Sequence, residues 1–112
     1  MTPKAFETAA LALSGVSVTV QWGDDRVFKV GGKMFAVLAG PSVTPRSASF
    51  KCSDLAFEML TAKTGILPAP YLARAKWVKL ENLRALPDKE IKAYLAEAHR
   101  LVVDKLPRKA RP

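Results

Sequence analysis

The sequence predicts a single α+β domain, a two-layer sandwich in which helices cover one face of an antiparallel sheet. A length of 112 residues suits one domain with one core. Four consecutive stretches have the pattern of strands and are joined by short connections, which favours antiparallel pairing with one solvated face. Helical periodicity at both ends of the chain supplies apolar stripes that can pack on the other face. The predicted order of elements is α-β-β-β-β-α-β-α.

The centre of the predicted sheet is a hairpin over Arg26–Leu38, in which Gly31-Gly32 joins two strands. Two glycines accept the positive φ angles that a type I′ turn requires. A two-residue loop pairs the strands so that Lys29 and Met34 share the solvent face, while Lys33 sits at the rim. The core face of the hairpin then consists of Phe28, Val30, Phe35 and Val37.

The first helix and the first strand precede this hairpin. Thr2-Pro3 is a typical helix start, and Ser14-Gly15 is a typical end because glycine accepts the left-handed cap. Val16–Gln21 alternates valine with polar residues, as a half-buried strand does. Trp22 follows at the turn, and we assign it to the core in preference to a base-stacking role.

After the hairpin, Ser47–Lys51 is predicted as the fourth strand. Ser53 then caps a second helix that runs from Asp54 to about Lys63. The apolar stripe of this helix is predicted to be Leu55, Met59 and Ala62, with Phe57 and Leu60 beside it. An irregular connection over residues 66–75 follows, because Pro68 and Pro70 exclude a regular helix.

The fifth strand is predicted at Lys76–Glu81, where Lys76 and Lys79 bracket Trp77. The last helix begins at Pro87-Asp88 and carries a continuous apolar stripe for packing on the sheet. Pro107 ends it. The domain is therefore predicted to span residues 1–106, with a basic disordered tail at residues 107–112.

The distribution of charge is the most informative feature of the composition. Lysine and arginine number 18 against 10 acidic residues, a net charge of +8. From Arg26 to Lys51 there are five bases and no acid, and the last 13 residues contain five bases and one acid. The excess thus lies in the strands and the tail. A basic field of this kind favours polyanionic partners such as nucleic acid.

Residues that carry catalysis or bind metals are sparse. Cys52 is the one cysteine and His99 the one histidine, and both are predicted to pack as structural residues. Asp24-Asp25 is predicted to serve a turn. We therefore expect a protein that is not an enzyme and has no cofactor or metal. With no export signal and no long apolar run, we also expect a cytoplasmic protein without a membrane segment, most simply a monomer.

Five segments follow one another along the chain, namely LALSGV, FKVGGKMFAVL, ASFKCS, PAPY and KWVKL. In their order and spacing they resemble the MmcQ/YjbR family over roughly residues 2–105. The resemblance implies a frataxin-like (CyaY-like) α+β fold, described as a double wing and proposed to bind DNA. The loop GPSVTPRSA, which contains Arg46, departs from the family in length and composition. Frataxins bind iron through an acidic first helix. The only charged residues of the first helix here are Lys4 and Glu7, so no iron site is expected.

The leading hypothesis is a DNA-binding protein whose wings are the hairpin and the segment around Trp77. Basic side chains would contact phosphates, with Trp77 as a stacking residue, and the binding would be salt-sensitive and largely non-specific. The candidate residues are Lys29, Lys33, Lys51, Arg74, Lys76, Trp77 and Lys79. Two alternatives remain. A protein-interaction module predicts a contiguous exposed apolar patch, and a small-ligand domain predicts a closed cavity near the PAPY connection.

Overall fold

A computed structural model describes all 112 residues, Met1–Pro112. The fold is α+β, as predicted. The first half of the chain contains helix α1 at Pro3–Leu11 and strands β1 at Val16–Gln21, β2 at Asp25–Val30, β3 at Lys33–Leu38 and β4 at Ala48–Lys51. The second half contains helix α2 at Asp54–Thr61, strands β5 at Ile66–Pro68 and β6 at Trp77–Leu80, and helix α3 at Asp88–Val103. Two short 3-10 helices lie at Ala73–Ala75 and Arg108–Ala110.

The sheet has six antiparallel strands in the order β1-β2-β3-β4-β6-β5. Two helices begin at the predicted caps. The Ala5 N–H donates to Thr2 Oγ1 at 3.0 Å, and the Ala56 N–H donates to Ser53 Oγ at 3.1 Å. Each bond satisfies a backbone donor that the first helical turn leaves free. None of the helices combines the length and the hydropathy needed to cross a lipid bilayer.

One apolar core lies between the sheet and the helices. Each helix contributes to it, with Phe6 from α1, Leu60 from α2 and Leu95 from α3. From the strands, the core includes fully buried Phe28, Val30, Phe35, Phe50 and Val78. The Phe50 ring stacks on Tyr94 of α3 with centroids 5.7 Å apart. Burial of this apolar surface against one face leaves the other face of the sheet to solvent.

The hairpin has the predicted two-residue loop, since Val30 pairs with Lys33 and both glycines have positive φ. The predicted register holds as far as Lys29 and Met34 and then shifts by one residue at a bulge. Phe28 therefore pairs with Ala36 and not with the predicted Phe35. A bulge resets the two-residue alternation, so both Phe35 and Ala36 are buried.

The same shift corrects the predicted core face of β3. Val37 pairs with Val27 and Ser49, whereas its neighbours Ala36 and Leu38 are buried in the core cluster. Val37 was predicted to face the core with Phe35, but it is only half-buried and lies on the open face. Leu38 takes the core position in its place.

Two further predictions are corrected in the second half of the chain. The connection after α2 is not wholly irregular, because Ile66–Pro68 pairs with β6 as a sixth strand. Helix α2 is also rotated from its predicted orientation. Leu60 is buried, while the predicted stripe residues Leu55 and Met59 are exposed.

The tail beyond α3 follows the end of the sheet. Leu106 is buried, and its side chain lies so close to Gly31 that a Cβ at Gly31 would overlap it. Arg111 Nε donates to the Leu106 carbonyl at 3.0 Å, and its Nη2 donates to the Asp104 carbonyl at 3.1 Å. A basic side chain at these carbonyls completes the end of α3. The structure thus has a short 3-10 helix, Arg108–Ala110, where the sequence predicts a disordered tail.

Candidate nucleic-acid interface

One end of the sheet brings together parts of the chain that are distant in sequence. Antiparallel strands alternate in direction, so the Gly31-Gly32 turn, the end of β4 and the start of β6 lie at the same end. Helix α3 also finishes there, because Leu106 packs against Gly31. We call this region the basic end and define it by its five cationic side chains, Lys33, Lys51, Arg74, Lys76 and Lys105.

Two grooves shape the basic end. The first has a volume of about 350 Å³ and is lined by Lys33, Lys51 and Lys105 together with Met34, Trp77, Val102, Leu106 and Pro107. The groove is therefore lined by three cationic side chains and otherwise by apolar residues. Low-dielectric walls strengthen the field of nearby charges, so an anion in this groove would be attracted more strongly than at a flat surface.

The second groove, of about 390 Å³, adjoins the first because both are lined by Lys51 and Lys105. It adds Arg74 and Lys76, and Asp54 is the only acidic residue in the lining of either groove. Its full lining is Lys51, Cys52, Ser53, Asp54, Arg74, Ala75, Lys76, Leu101 and Lys105. The two grooves form a continuous surface with a clear excess of positive charge.

Lys51 stands at the junction of the two grooves. Its Nζ donates to the Ala75 carbonyl at 2.8 Å, which holds the ammonium at the end of the sheet. Partial burial lowers the pKa of Lys51, and the nearby charge of Lys105 lowers it further. Two cations that repel each other across a groove are stabilised when an anion lies between them. This arrangement is suited to a phosphate.

Lys76 is fixed by its backbone. Its φ angle of +62° is in the left-handed region, and its carbonyl accepts hydrogen bonds from Cys52 N at 2.9 Å and Cys52 Sγ at 3.2 Å. Its Nζ lies 4.9 Å from the centroid of the Phe57 ring, a cation–π contact. The Lys76 ammonium thus contacts Phe57 of α2, while the residue also lines the second groove.

Four of the predicted cations, Lys33, Lys51, Arg74 and Lys76, are brought together at the basic end. Lys29 and Lys79 lie on the open face of the sheet. Lys29 pairs with Met34, which lines the first groove, whereas Lys79 pairs with Ser49 and is farther along β6.

Sequence reasoning missed Lys105. Its charge was counted with those of the tail, although the residue lies in the last turn after α3 and lines both grooves. The sequence carries the last helix as far as Pro107, but no local pattern shows that the end of this helix meets the hairpin tip.

The two tryptophans have the opposite environments to those predicted. Trp77 is only 3% exposed, so it has no free ring face on which a base can stack, and its predicted stacking role is wrong. It alternates with core residue Val78, pairs with Lys51 and lines the first groove beside it. Trp22, predicted as core, is 64% exposed. Its φ of +52° places it in the turn beyond the end of β1, where no helix covers it.

The structure offers less support for the two alternative functions, which predict a contiguous exposed apolar patch or a closed cavity near the PAPY connection. Exposed large apolar residues form at most small pairs, with Leu55 and Met59 one turn apart on α2 and Val20 and Trp22 near the end of β1. The full set is Leu11, Val20, Trp22, Val43, Leu55, Met59, Leu67 and Tyr71. Two larger concavities, of about 670 and 660 Å³, lie at the opposite end of the sheet and share Arg46. Neither is lined by the PAPY segment near which a ligand cavity was predicted.

Cys52 and His99 have the structural environments that the sequence predicts. Cys52 is buried, and burial raises the pKa of its thiol to about 11, so it is uncharged and unreactive near neutral pH. His99 Nε2 lies 2.7 Å from the Ser14 carbonyl, and its ring packs edge-on against Phe35 with centroids 5.5 Å apart. Asp25 Oδ1 accepts from the Gly40 N–H at 3.0 Å, which is turn chemistry.

The chain is similar to known proteins over most of its length. The family model described as YjbR matches residues 11–101. Among solved structures, the Deinococcus radiodurans protein DR2400, which carries a DUF419 domain, superimposes with a TM-score of 0.84 at 22% identity, covering 97% of this chain and 87% of that one. A Pseudomonas syringae protein superimposes with a TM-score of 0.74 at 21% identity, covering 90% and 98%. A comparison with curated proteins gave no match.

Proposed function

The chain belongs to the YjbR family, and from the charges of its basic end we propose that it is a binding protein for duplex DNA and not an enzyme. The observation that carries the proposal is the convergence of Lys33, Lys51, Arg74, Lys76 and Lys105 on two adjoining grooves with one carboxylate among them. These residues come from four separate segments of the chain, so the fold itself concentrates the charge.

Binding proceeds through phosphates. Lysine ammonium groups act as point charges toward phosphate oxygens, and each contact releases counterions from the DNA. Such contacts fix the position of a protein on a duplex but read no base sequence. We therefore expect weak sequence preference and strong dependence on salt.

The burial of Trp77 bears on whether the site prefers single-stranded or double-stranded nucleic acid. Proteins that prefer single strands offer exposed aromatic rings on which bases stack. At the basic end the only tryptophan is Trp77, whose ring is buried against the sheet. Tyr71, in the connection that leads to Arg74, is the exposed ring at this end of the sheet. A single tyrosine is less than the succession of rings on which a single strand stacks, so the charge of the site favours the higher charge density of a duplex.

The test compares two triple variants that each remove three positive charges. Lys33→Ala/Lys51→Ala/Lys105→Ala empties the first groove of its lysines. Lys63→Ala/Lys89→Ala/Lys92→Ala removes exposed lysines near the end of α2 and the start of α3, toward the opposite end of the sheet. Fluorescence anisotropy with a random-sequence duplex at low salt should show a loss of roughly tenfold or more for the first variant. The second should retain nearly full affinity.

Three outcomes would overturn the proposal. The wild-type protein would not bind duplex at low salt, the two triple variants would lose affinity equally, or the affinity would be insensitive to salt. Circular dichroism of both variants checks that the fold is intact, since all six lysines lie outside the core cluster.

A further inference from the structure

Strand β1 is an open edge of the sheet. It pairs only with β2, and no other backbone hydrogen bond of the chain reaches Val16–Gln21. In an antiparallel edge strand every second residue directs its N–H and C=O groups away from the sheet. This edge therefore presents unpaired donors and acceptors over six residues.

Natural edge strands are usually protected by charge, proline, bulges or short length. The opposite edge, β5, follows this rule, because it has only three residues and ends at Pro68. Strand β1 has none of these features. Its sequence, VSVTVQ, contains no charge, proline or glycine, and its pairing with β2 is continuous.

We propose that β1 pairs antiparallel with β1 of a second copy of this chain, joining two six-stranded sheets across a two-fold axis. The sequence favours a monomer, but the open edge is self-complementary. With Val18 on the axis, Val16 lies opposite Val20 of the other copy and Ser17 opposite Thr19. With Thr19 on the axis, Val18 lies opposite Val20 and Ser17 opposite Gln21. In both registers valine meets valine on one face and polar side chains meet on the other.

The exposed side chains of this edge fit the same pairing. Val20 points toward the helix layer, since its partner Arg26 is bonded to Glu7 of α1, yet Val20 is 59% exposed. In either register, a valine of the second copy would cover it. Trp22, also exposed, extends the same edge past Gln21.

The self-complementary sequence of the edge selects a second copy as the occupant, and the arrangement of charge does not oppose it. Antiparallel pairing places the Asp24-Asp25 turn of one copy beside the start of β1 in the other. Both carboxylates of that turn lie toward Gly40, where Asp25 Oδ1 accepts from the Gly40 N–H, and β1 itself carries no charge. The two basic ends face away from each other, so their charges do not repel across the shared strand pair.

The experiment measures the oligomeric state by sedimentation velocity over a wide range of protein concentration. A five-residue strand pair is a small interface, so we expect a reversible dimer with a dissociation constant roughly in the micromolar range or weaker. Thr19→Lys should shift the dissociation constant at least about tenfold toward monomer, because lysines of the two copies would meet near the axis. Ser49→Lys adds the same charge on the same open face in β4, within the sheet, and should leave the dimer unchanged.

A second measurement does not depend on a charge change. Thr19→Cys places a thiol near the axis in both registers, whereas Ser49→Cys places one three strands from the edge. A short bismaleimide cross-linker, each end of which adds one cysteine thiol, should give covalent dimers for Thr19→Cys only, since native Cys52 is buried. Monomer at millimolar concentration would overturn the proposal, as would a dimer that Thr19→Lys leaves intact or equal cross-linking of both cysteine variants.

Discussion

At the scale of single residues, the two tryptophans distinguish the interior from the surface of this molecule. Trp77 is 3% exposed and Trp22 is 64% exposed. Trp77→Ala should lower the free energy of unfolding by about 3–5 kcal/mol, because it opens a large cavity beside Val78. Trp22→Ala should change it by less than about 0.5 kcal/mol, because the ring packs on little. Urea unfolding followed by circular dichroism measures both values.

The same residues give an independent optical check. In the Trp77→Ala variant the remaining fluorescence comes from Trp22 and should be quenched readily by acrylamide. In the Trp22→Ala variant the remaining Trp77 should be protected. Equal quenching of the two variants, or a large loss of stability for Trp22→Ala, would contradict the assigned environments.

The buried thiol of Cys52 is expected to make the free energy of unfolding depend on pH. Burial raises the pKa of its thiol to about 11, above the value of an unfolded chain. A raised pKa means that the folded state binds the proton more tightly. The resulting stabilisation is complete below about pH 8.5 and is lost as the pH rises through about 11.

Comparison with Cys52→Ala isolates this effect from those of Lys51 and Tyr94, whose pKa values are also shifted. Between pH 8 and pH 11, urea unfolding should show that the wild-type protein loses more stability than Cys52→Ala. Parallel pH profiles would show that the thiol does not titrate differently in the folded state.

At the scale of elements, most of the secondary structure follows from local rules, and the exceptions have identifiable causes. Caps at Thr2 and Ser53 and the Gly31-Gly32 turn are dictated by the residues themselves. The bulge is not, because an alternating pattern cannot show that adjacent Phe35 and Ala36 are both buried. Strand β5 was missed because Pro68 argues against a strand, although proline is tolerated at a sheet edge.

The orientation of α2 shows a further limit of periodicity. The helix has apolar residues on more than one side, so its pattern allows either Leu55 and Met59 or Phe57 and Leu60 to face the core. The choice depends on the crossover from β4 to β5, which places Leu60 beside the core residue Ile66 and leaves Leu55 exposed. Topology, and not helix propensity, decides which stripe is buried.

The hairpin tip and the tail are predicted to stabilise each other. Gly31 and Gly32 both have positive φ, so alanine at either position incurs strain of about 1–2 kcal/mol. Only at Gly31 would the new Cβ also overlap Leu106, whereas nothing lies within 4 Å of that position at Gly32. Gly31→Ala should therefore cost at least about 1 kcal/mol more than Gly32→Ala in urea unfolding.

A double-mutant cycle tests the cause of that difference. In a Leu106→Ala background the overlap with Leu106 is absent, so the difference between the two glycine variants should shrink to the part caused by the close approach of the new Cβ to the Ala110 carbonyl oxygen. If the difference persists unchanged, the tail does not pack on the turn as described.

At the scale of the whole molecule, the candidate site is only partly readable from sequence. The directions of the strands bring Lys33, Lys51 and Lys76 to one end of the sheet. The charge count indicates from the sequence alone that these strands are basic. Lys105 and the burial of Trp77 depend on where the end of α3 meets the sheet, which no local pattern specifies. The fold therefore brings a few of the many bases of the sequence to the lining of two adjoining grooves.

The salt dependence of DNA binding measures whether these cations contact a duplex together. If the five cations of the basic end contact phosphates, the logarithm of the binding constant for duplex DNA should fall against the logarithm of salt concentration with a slope of about −4 to −5. Lys105→Ala should reduce the slope by about 1 and weaken binding to all sequences alike, because it removes one phosphate contact. Lys89→Ala, which removes an exposed charge at the start of α3, should leave the slope unchanged. A slope near −1 for the wild-type protein, or equal effects of the two variants, would mean that the cations of the basic end do not engage the duplex together.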